Sequence, residues 1–217
     1  MTVILVANSK GGAGKSTVAS NLAGFYAAQG ERPMLGDLDR QQSLRSWLER
    51  RPSSAAPISS WEQSAGGAAR PPGDATHIIL DSPAGLEGAA LRDAARHASK
   101  VIVPLQPSLF DIQATHRFLT RLADVGVNPA GGRVALLATR VDPRTRAAAQ
   151  LDAYVKDIGV PFLGYLRDTQ LYVQLAAQGL TLWDIAPSRV AQDVEQWLPV
   201  IHWASNGRRT VQLAEAA

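Results

Sequence analysis

Ser9-Lys10-Gly11-Gly12-Ala13-Gly14-Lys15-Ser16-Thr17 is the stretch of this 217-residue chain that decides its fold. Before it runs Thr2-Val3-Ile4-Leu5-Val6-Ala7-Asn8, apolar and rich in β-branched residues, which predicts a buried strand. After it, Val18, Leu22, Phe25 and Tyr26 fit one face of a helix. Strand, glycine loop and helix in that order are the setting in which Gly-x-x-x-x-Gly-Lys-Ser/Thr means a phosphate-binding loop. Counted strictly back from Lys15, the first glycine position holds Ser9, and Lys10 adds a second lysine, so the loop is a deviant form.

The residue types dictate the chemistry. Glycines let successive N–H groups converge on phosphate oxygens with no Cβ in the way. A helix starting at about Lys15 adds its positive N-terminal end to the same place. Lys15 sets an ammonium between β- and γ-phosphates, and the Ser16 hydroxyl is placed for Mg²⁺.

Composition sets the frame. The chain is 46% hydrophobic and 19% charged, an ordinary globular balance, and its length suits a single α/β domain over residues 1–217. No apolar run approaches the ~18 residues of a membrane span, and no charged leader precedes an apolar cleavable segment. Cysteine is absent, which excludes disulfides, thiol catalysis and iron–sulfur clusters. His77, His97, His116 and His202 show no metal-ligand spacing and read as structural or surface residues. These features predict a cytoplasmic protein. A formal charge of +3 permits a nucleic-acid partner through a local patch without requiring one.

Strands and helices then alternate. Strands are predicted at about 32–36, 76–81, 100–105, 133–139 and 161–166, and helices at about 44–51, 86–97, 107–124, 143–158, 169–178 and 188–205, the last kinked at Pro199. Residues 51–74, rich in Pro, Ser, Ala and Gly, read as a surface excursion with a short strand near Ile58 and a short helix near Trp61. This alternation predicts a three-layer α/β fold: a mostly parallel, twisted central sheet with helices on both faces. Asp37, Asp39 and Asp81 fall at strand carboxyl ends, the edge where open parallel sheets bind ligands. Asp81, after Ile78-Ile79-Leu80, reads as the acid that holds Mg²⁺ directly or through water.

Lys10-Gly11-Gly12-Ala13-Gly14-Lys15-Ser16, Gly36-Asp37-Leu38-Asp39-x-Gln41 and Ile79-Leu80-Asp81-Ser82-Pro83 together resemble the ParA/MinD family of deviant Walker A P-loop ATPases, over nearly the whole chain. Val103-Pro104-Leu105-Gln106-Pro107-Ser108 looks like the family's proline-containing segment. Thr139-Arg140-Val141-Asp142 occupies the place of the segment bordering the adenine, so Thr139, Arg140 and Asp142 join Gly11, Gly12, Ala13, Gly14, Lys15, Ser16 and Thr17 as expected nucleotide contacts. The resemblance implies ATP/ADP and Mg²⁺ as ligands, and slow hydrolysis raised by a ParB-like or cargo-adaptor partner. It also implies an ATP-dependent homodimer in which Lys10 reaches the partner copy's ATP, while Asp39 positions water. Arg40 and Ala84 depart from the family's usual prolines without removing a functional group.

Short ParA-type proteins without an N-terminal helix-turn-helix domain segregate plasmids or position carboxysomes and chemoreceptor clusters. Their non-specific DNA binding would fall here on Arg144, Arg146, Arg167, Arg189, Arg208 and Arg209, giving nucleoid association in the ATP-bound state. Three alternatives stand beside this reading. One is an accessory recruitment protein that uses ATP as a structural clamp, as in DNA transfer. Another is a MinD-like membrane-associated ATPase, against which residues 206–217 offer little apolar area. The third is a metabolic kinase, for which no acceptor pocket is evident.

Overall fold

The computed structural model describes residues 1–39, 41–61 and 73–207. Strands β1 (Thr2–Val6), β2 (Pro33–Asp37), β3 (Ser59–Trp61), β4 (His77–Asp81), β5 (Lys100–Leu105), β6 (Val134–Val141) and β7 (Phe162–Arg167) make one sheet in the order β3-β2-β4-β1-β5-β6-β7. Every pairing is parallel. Helices α1 (Lys15–Ala28), α2 (Ser43–Glu49), α3 (Gly88–His97), α4 (Leu109–Asp124), α5 (Arg146–Asp157), α6 (Leu171–Ala177) and α7 (Pro187–Ala204) complete the three layers. The expected fold class holds, with a wholly parallel sheet.

The continuous apolar runs of the central strands follow from covering both faces. In β1, Ile4 and Val6 enter a core with Leu22, Phe25, Trp197 and Ile201 under α1 and α7. Leu5 points the other way, into a core with Val101, Val103, Phe118 and Leu122 under α3 and α4. Helix α1 is buried almost all round, with residues from Val18 to Ala27 inaccessible. It serves as an internal pillar rather than an amphipathic surface helix.

One expectation shifts in detail: Trp61 belongs to β3 rather than a helix, and residues 62–72 lie outside the described residues. Helix α7 spans Pro199 as one element. A buried ion pair ties the segment after α2 to a 3₁₀ turn (Leu182–Asp184): Arg51 donates to both carboxylate oxygens of Asp184 at 2.8 and 2.9 Å and to the carbonyls of Ala56 and Gly179. That turn docks on α1, where Leu182 N–H donates to Asn21 Oδ1 and the Trp183 indole to the Asn21 carbonyl. The segment after α2 and the helix after the glycine loop are thus joined through this turn.

Candidate nucleotide site

β1 sits at the centre of the sheet, and the chain leaves it toward β2 and β4 on one side and β5 to β7 on the other. Ligands of open parallel sheets bind at such a switch point, beyond the carboxyl ends of the strands. The glycine loop lies there. Gly12 (φ 79°) and Gly14 (φ 86°) both adopt the left-handed region that excludes most side chains, and a Cβ on Gly14 would press on Thr139 at 3.3 Å. Gly14 is the N-cap of α1, and no side chain caps it, so the first-turn N–H groups remain for an anion.

Four charged groups gather at this place. Lys15 is buried, and its ammonium donates to the Lys10 carbonyl at 2.8 Å. Burial lowers its pKa, with Asp81 and then Asp39 opposing the shift. Asp81, also buried, accepts the Ser16 hydroxyl on Oδ2 at 2.6 Å, while its Oδ1 has no partner. Its pKa is pushed up to about 7, chiefly by burial; the Ser16 bond pulls it down, and Asp37, Lys15 and Asp39 act more weakly. An orphaned buried carboxylate oxygen beside a serine hydroxyl suits a hard cation with oxygen ligands. Asp37 spends both oxygens on its own loop, accepting from Asp39 N–H at 3.0 Å and Leu44 N–H at 2.9 Å. Asp39 accepts from Gln41 N–H at 3.0 Å and stays half-buried.

Beside the loop lies a cavity of about 500 Å³ lined by Gly14, Thr17, Thr139, Arg140, Arg167, Asp168, Gln170 and Tyr172. Thr139 reaches the loop directly, its hydroxyl donating to the Ala13 carbonyl at 3.0 Å. Arg140 holds a left-handed backbone (φ 53°) at the mouth, a costly conformation for a long side chain. Asp142, expected with them, does not line this cavity. It faces the neighbouring hollow and is held by Arg144, whose guanidinium donates to both its oxygens at 2.9 Å.

The candidate DNA-contacting arginines divide. Arg144 is tied to Asp142, and Arg167 donates to both oxygens of the buried Asp193 at 2.7 and 2.8 Å. Arg146 and Arg189 are exposed and make no ion pair among the described residues. Arg208 and Arg209 lie outside the described residues. Of the four that are described, Arg144 and Arg167 are engaged by carboxylates and Arg146 and Arg189 are unpaired among the described residues. Sequence reading missed Asn8 and Gln106. Asn8 is fully buried against the start of the loop, and Gln106 donates from Nε2 to the Gly12 carbonyl at 2.6 Å.

A glycine loop opening a pillar helix, a buried lysine and an unsatisfied acid at the next strand end form a nucleotide site. The model of the CobQ/CobB/MinD/ParA nucleotide binding domain matches residues 4–182. The chain belongs to that family. As a ParA/MinD-type protein it is 31% identical over 188 residues to the maintenance of carboxysome distribution protein A of Gloeobacter kilaueensis, covering 83% of each chain. It is 30% identical over 187 residues to the chromosome-partitioning ATPase Soj of Thermus thermophilus, covering 70% of this chain and 75% of that one. The structure of a Borrelia burgdorferi plasmid partition protein bound to AMPPNP superposes with a TM-score of 0.74 at 15% identity, covering 92% of this chain and 98% of that one. At that identity the likeness is one of fold. Among the described residues no helix is long and apolar enough to cross a membrane.

Proposed function

We propose that this chain is an ATPase that binds ATP with Mg²⁺, dimerises on it, and uses partner-stimulated hydrolysis to position or segregate a cargo over DNA. The observation that carries the reading is the set of unspent charges at one point. The Lys15 ammonium is parked on a carbonyl, Asp81 has a free buried oxygen, and Asp39 is close enough to act on Lys15. Residues 11–17 cradle the phosphates, and Lys15 trades the Lys10 carbonyl for the β- and γ-phosphate oxygens. Ser16 and Asp81 hold Mg²⁺, which neutralises charge on the phosphates. Thr139 and Arg140 border the base, and Asp39 orients the attacking water.

Lys10 is exposed beside this site and carries the loop's second ammonium. Reaching a second copy's ATP, it would make the nucleotide part of the interface, so occupancy controls assembly. Hydrolysis then removes a shared anchor. Relatives named for carboxysome distribution and chromosome partitioning support a positioning role, which calls for a cargo-adaptor or ParB-like partner. Non-specific DNA contact rests on Arg146 and Arg189, with Arg208 and Arg209 beyond the described residues. The test is ATP turnover by the purified chain alone, with duplex DNA, and with DNA plus a candidate adaptor protein. Slow turnover that rises only with both is expected. Turnover unmoved by partner and DNA would sink the cycling model and leave ATP as a structural clamp.

A further inference from the structure

Although the Lys10 side chain is exposed, the main chain around it is tied down on every side. Its carbonyl accepts the Lys15 ammonium at 2.8 Å, and its N–H donates to Asn8 Oδ1 at 3.4 Å. The Ser9 carbonyl accepts Gly85 N–H at 3.0 Å, and the Ser9 hydroxyl lies 3.4 Å from both Asn8 Oδ1 and the Ala114 carbonyl. Asn8 is the hub. Fully buried, it donates from Nδ2 to the Pro104 carbonyl at 2.8 Å and to Thr115 Oγ1 at 2.9 Å. The orientation of its amide is decided twice: a carbonyl on one side demands the NH₂, and an N–H on the other demands the oxygen.

The two grips on Lys10 differ in what nucleotide does to them. The Lys15 grip is lost when that ammonium turns to phosphate, whereas Asn8 touches no group that binds phosphate. We propose that Asn8 is a positioning residue for Lys10. It keeps the Lys10 backbone registered to the end of β5 and to α4 in the loaded state, so that the second lysine is presented to another copy of the chain. This rests on the proposed action of Lys10 across a dimer. A backbone ordered before association leaves only side-chain freedom to be lost on association.

The test compares Asn8→Ala, Lys10→Ala and the double variant, using AMPPNP with Mg²⁺. Dimerisation is followed by sedimentation, nucleotide affinity by calorimetry and stability by thermal unfolding. Asn8→Ala should weaken dimerisation roughly tenfold, the scale of a hydrogen bond removed from a buried partner, and shift nucleotide affinity less than about threefold. In the Lys10→Ala background, followed at chain concentrations high enough to restore the weakened dimer, the same change should alter dimerisation less than about twofold, since its target is gone. Asn8→Asp, which keeps the acceptor for Lys10 N–H but not the donors to Pro104 and Thr115, should dimerise better than Asn8→Ala while being no more stable. Equal losses in both backgrounds, or dimerisation that tracks thermal stability across the two Asn8 variants, would overturn the positioning role. A Lys10→Ala chain that dimerises normally would instead overturn the action across the dimer, and with it any part for Asn8.

Discussion

At the centre of the ligand-binding edge the charges are unspent, whereas at its β6–β7 end they are closed on one another. Lys15 rests on a carbonyl, and Asp81 keeps one buried oxygen unpartnered. Two strands away, Asp142 is locked by Arg144, which holds its carboxyl down at about 2, and Arg167 is locked by Asp193. Burial cannot explain the difference, because Asp193 is as buried as Asp81. What differs is whether the fold supplies a counter-group. Desolvated charge left without one is stable only when a ligand brings it. The contrast marks the site without reference to any relative. Arg144 and Arg167 are each engaged by a carboxylate of their own chain.

The contrast breaks first at Lys15. Lys15→Ala should reduce nucleotide affinity by at least about a hundredfold, the scale of a charge-assisted contact in a desolvated site, while the fold persists; calorimetry with ATP checks it. Asp39→Ala should keep nucleotide affinity but cut turnover by roughly 10²–10³, as expected on losing the group that orients the attacking water. Phosphate release under saturating ATP decides that. A closed pair behaves in the opposite way. Asp184→Ala strands the Arg51 guanidinium in the interior and should cost about 3–5 kcal/mol of stability by urea unfolding, with little loss of nucleotide affinity in the folded fraction.

The opposite edge of the sheet offers the mildest test. His77 opens β4, stacked on Tyr26 with ring centroids 3.7 Å apart, and burial lowers its pKa to about 4 from 6.5. Glu31, 3.9 Å away, does not outweigh that burial. Above pH 6.5 the ring is neutral in both folded and unfolded chains. Between 6.5 and 4 only the unfolded chain takes up the proton, so stability falls as pH drops through that window, by roughly 3 kcal/mol in all. His77→Gln should flatten this part of the stability–pH curve while leaving nucleotide affinity unchanged.

How much of this the sequence disclosed follows from the range of each interaction. The glycine loop is legible because its spacing and flanking elements are local, and the alternating strands make the three layers legible too. Asp81 is readable as an acid at the end of an apolar run. That Asp142 turns to Arg144 and lines the hollow beside the Thr139 cavity depends on the course of β6, whose pairing with β7 is irregular around Ala138 and Val141. The Arg167–Asp193 pair joins residues on β7 and α7, which no local pattern announces. Asn8 reads as the last residue of an apolar strand. Its meaning comes from Pro104 and Thr115, about a hundred positions away, brought to it only by the parallel pairing of β1 with β5.

Completion of the site by a second copy is tested most directly by mass. Light scattering of the full chain with AMPPNP and Mg²⁺ should show the mass doubling for the natural sequence, and a monomer that still binds nucleotide for Lys10→Ala. A Lys10→Ala chain that doubles its mass as the natural one does would contradict it.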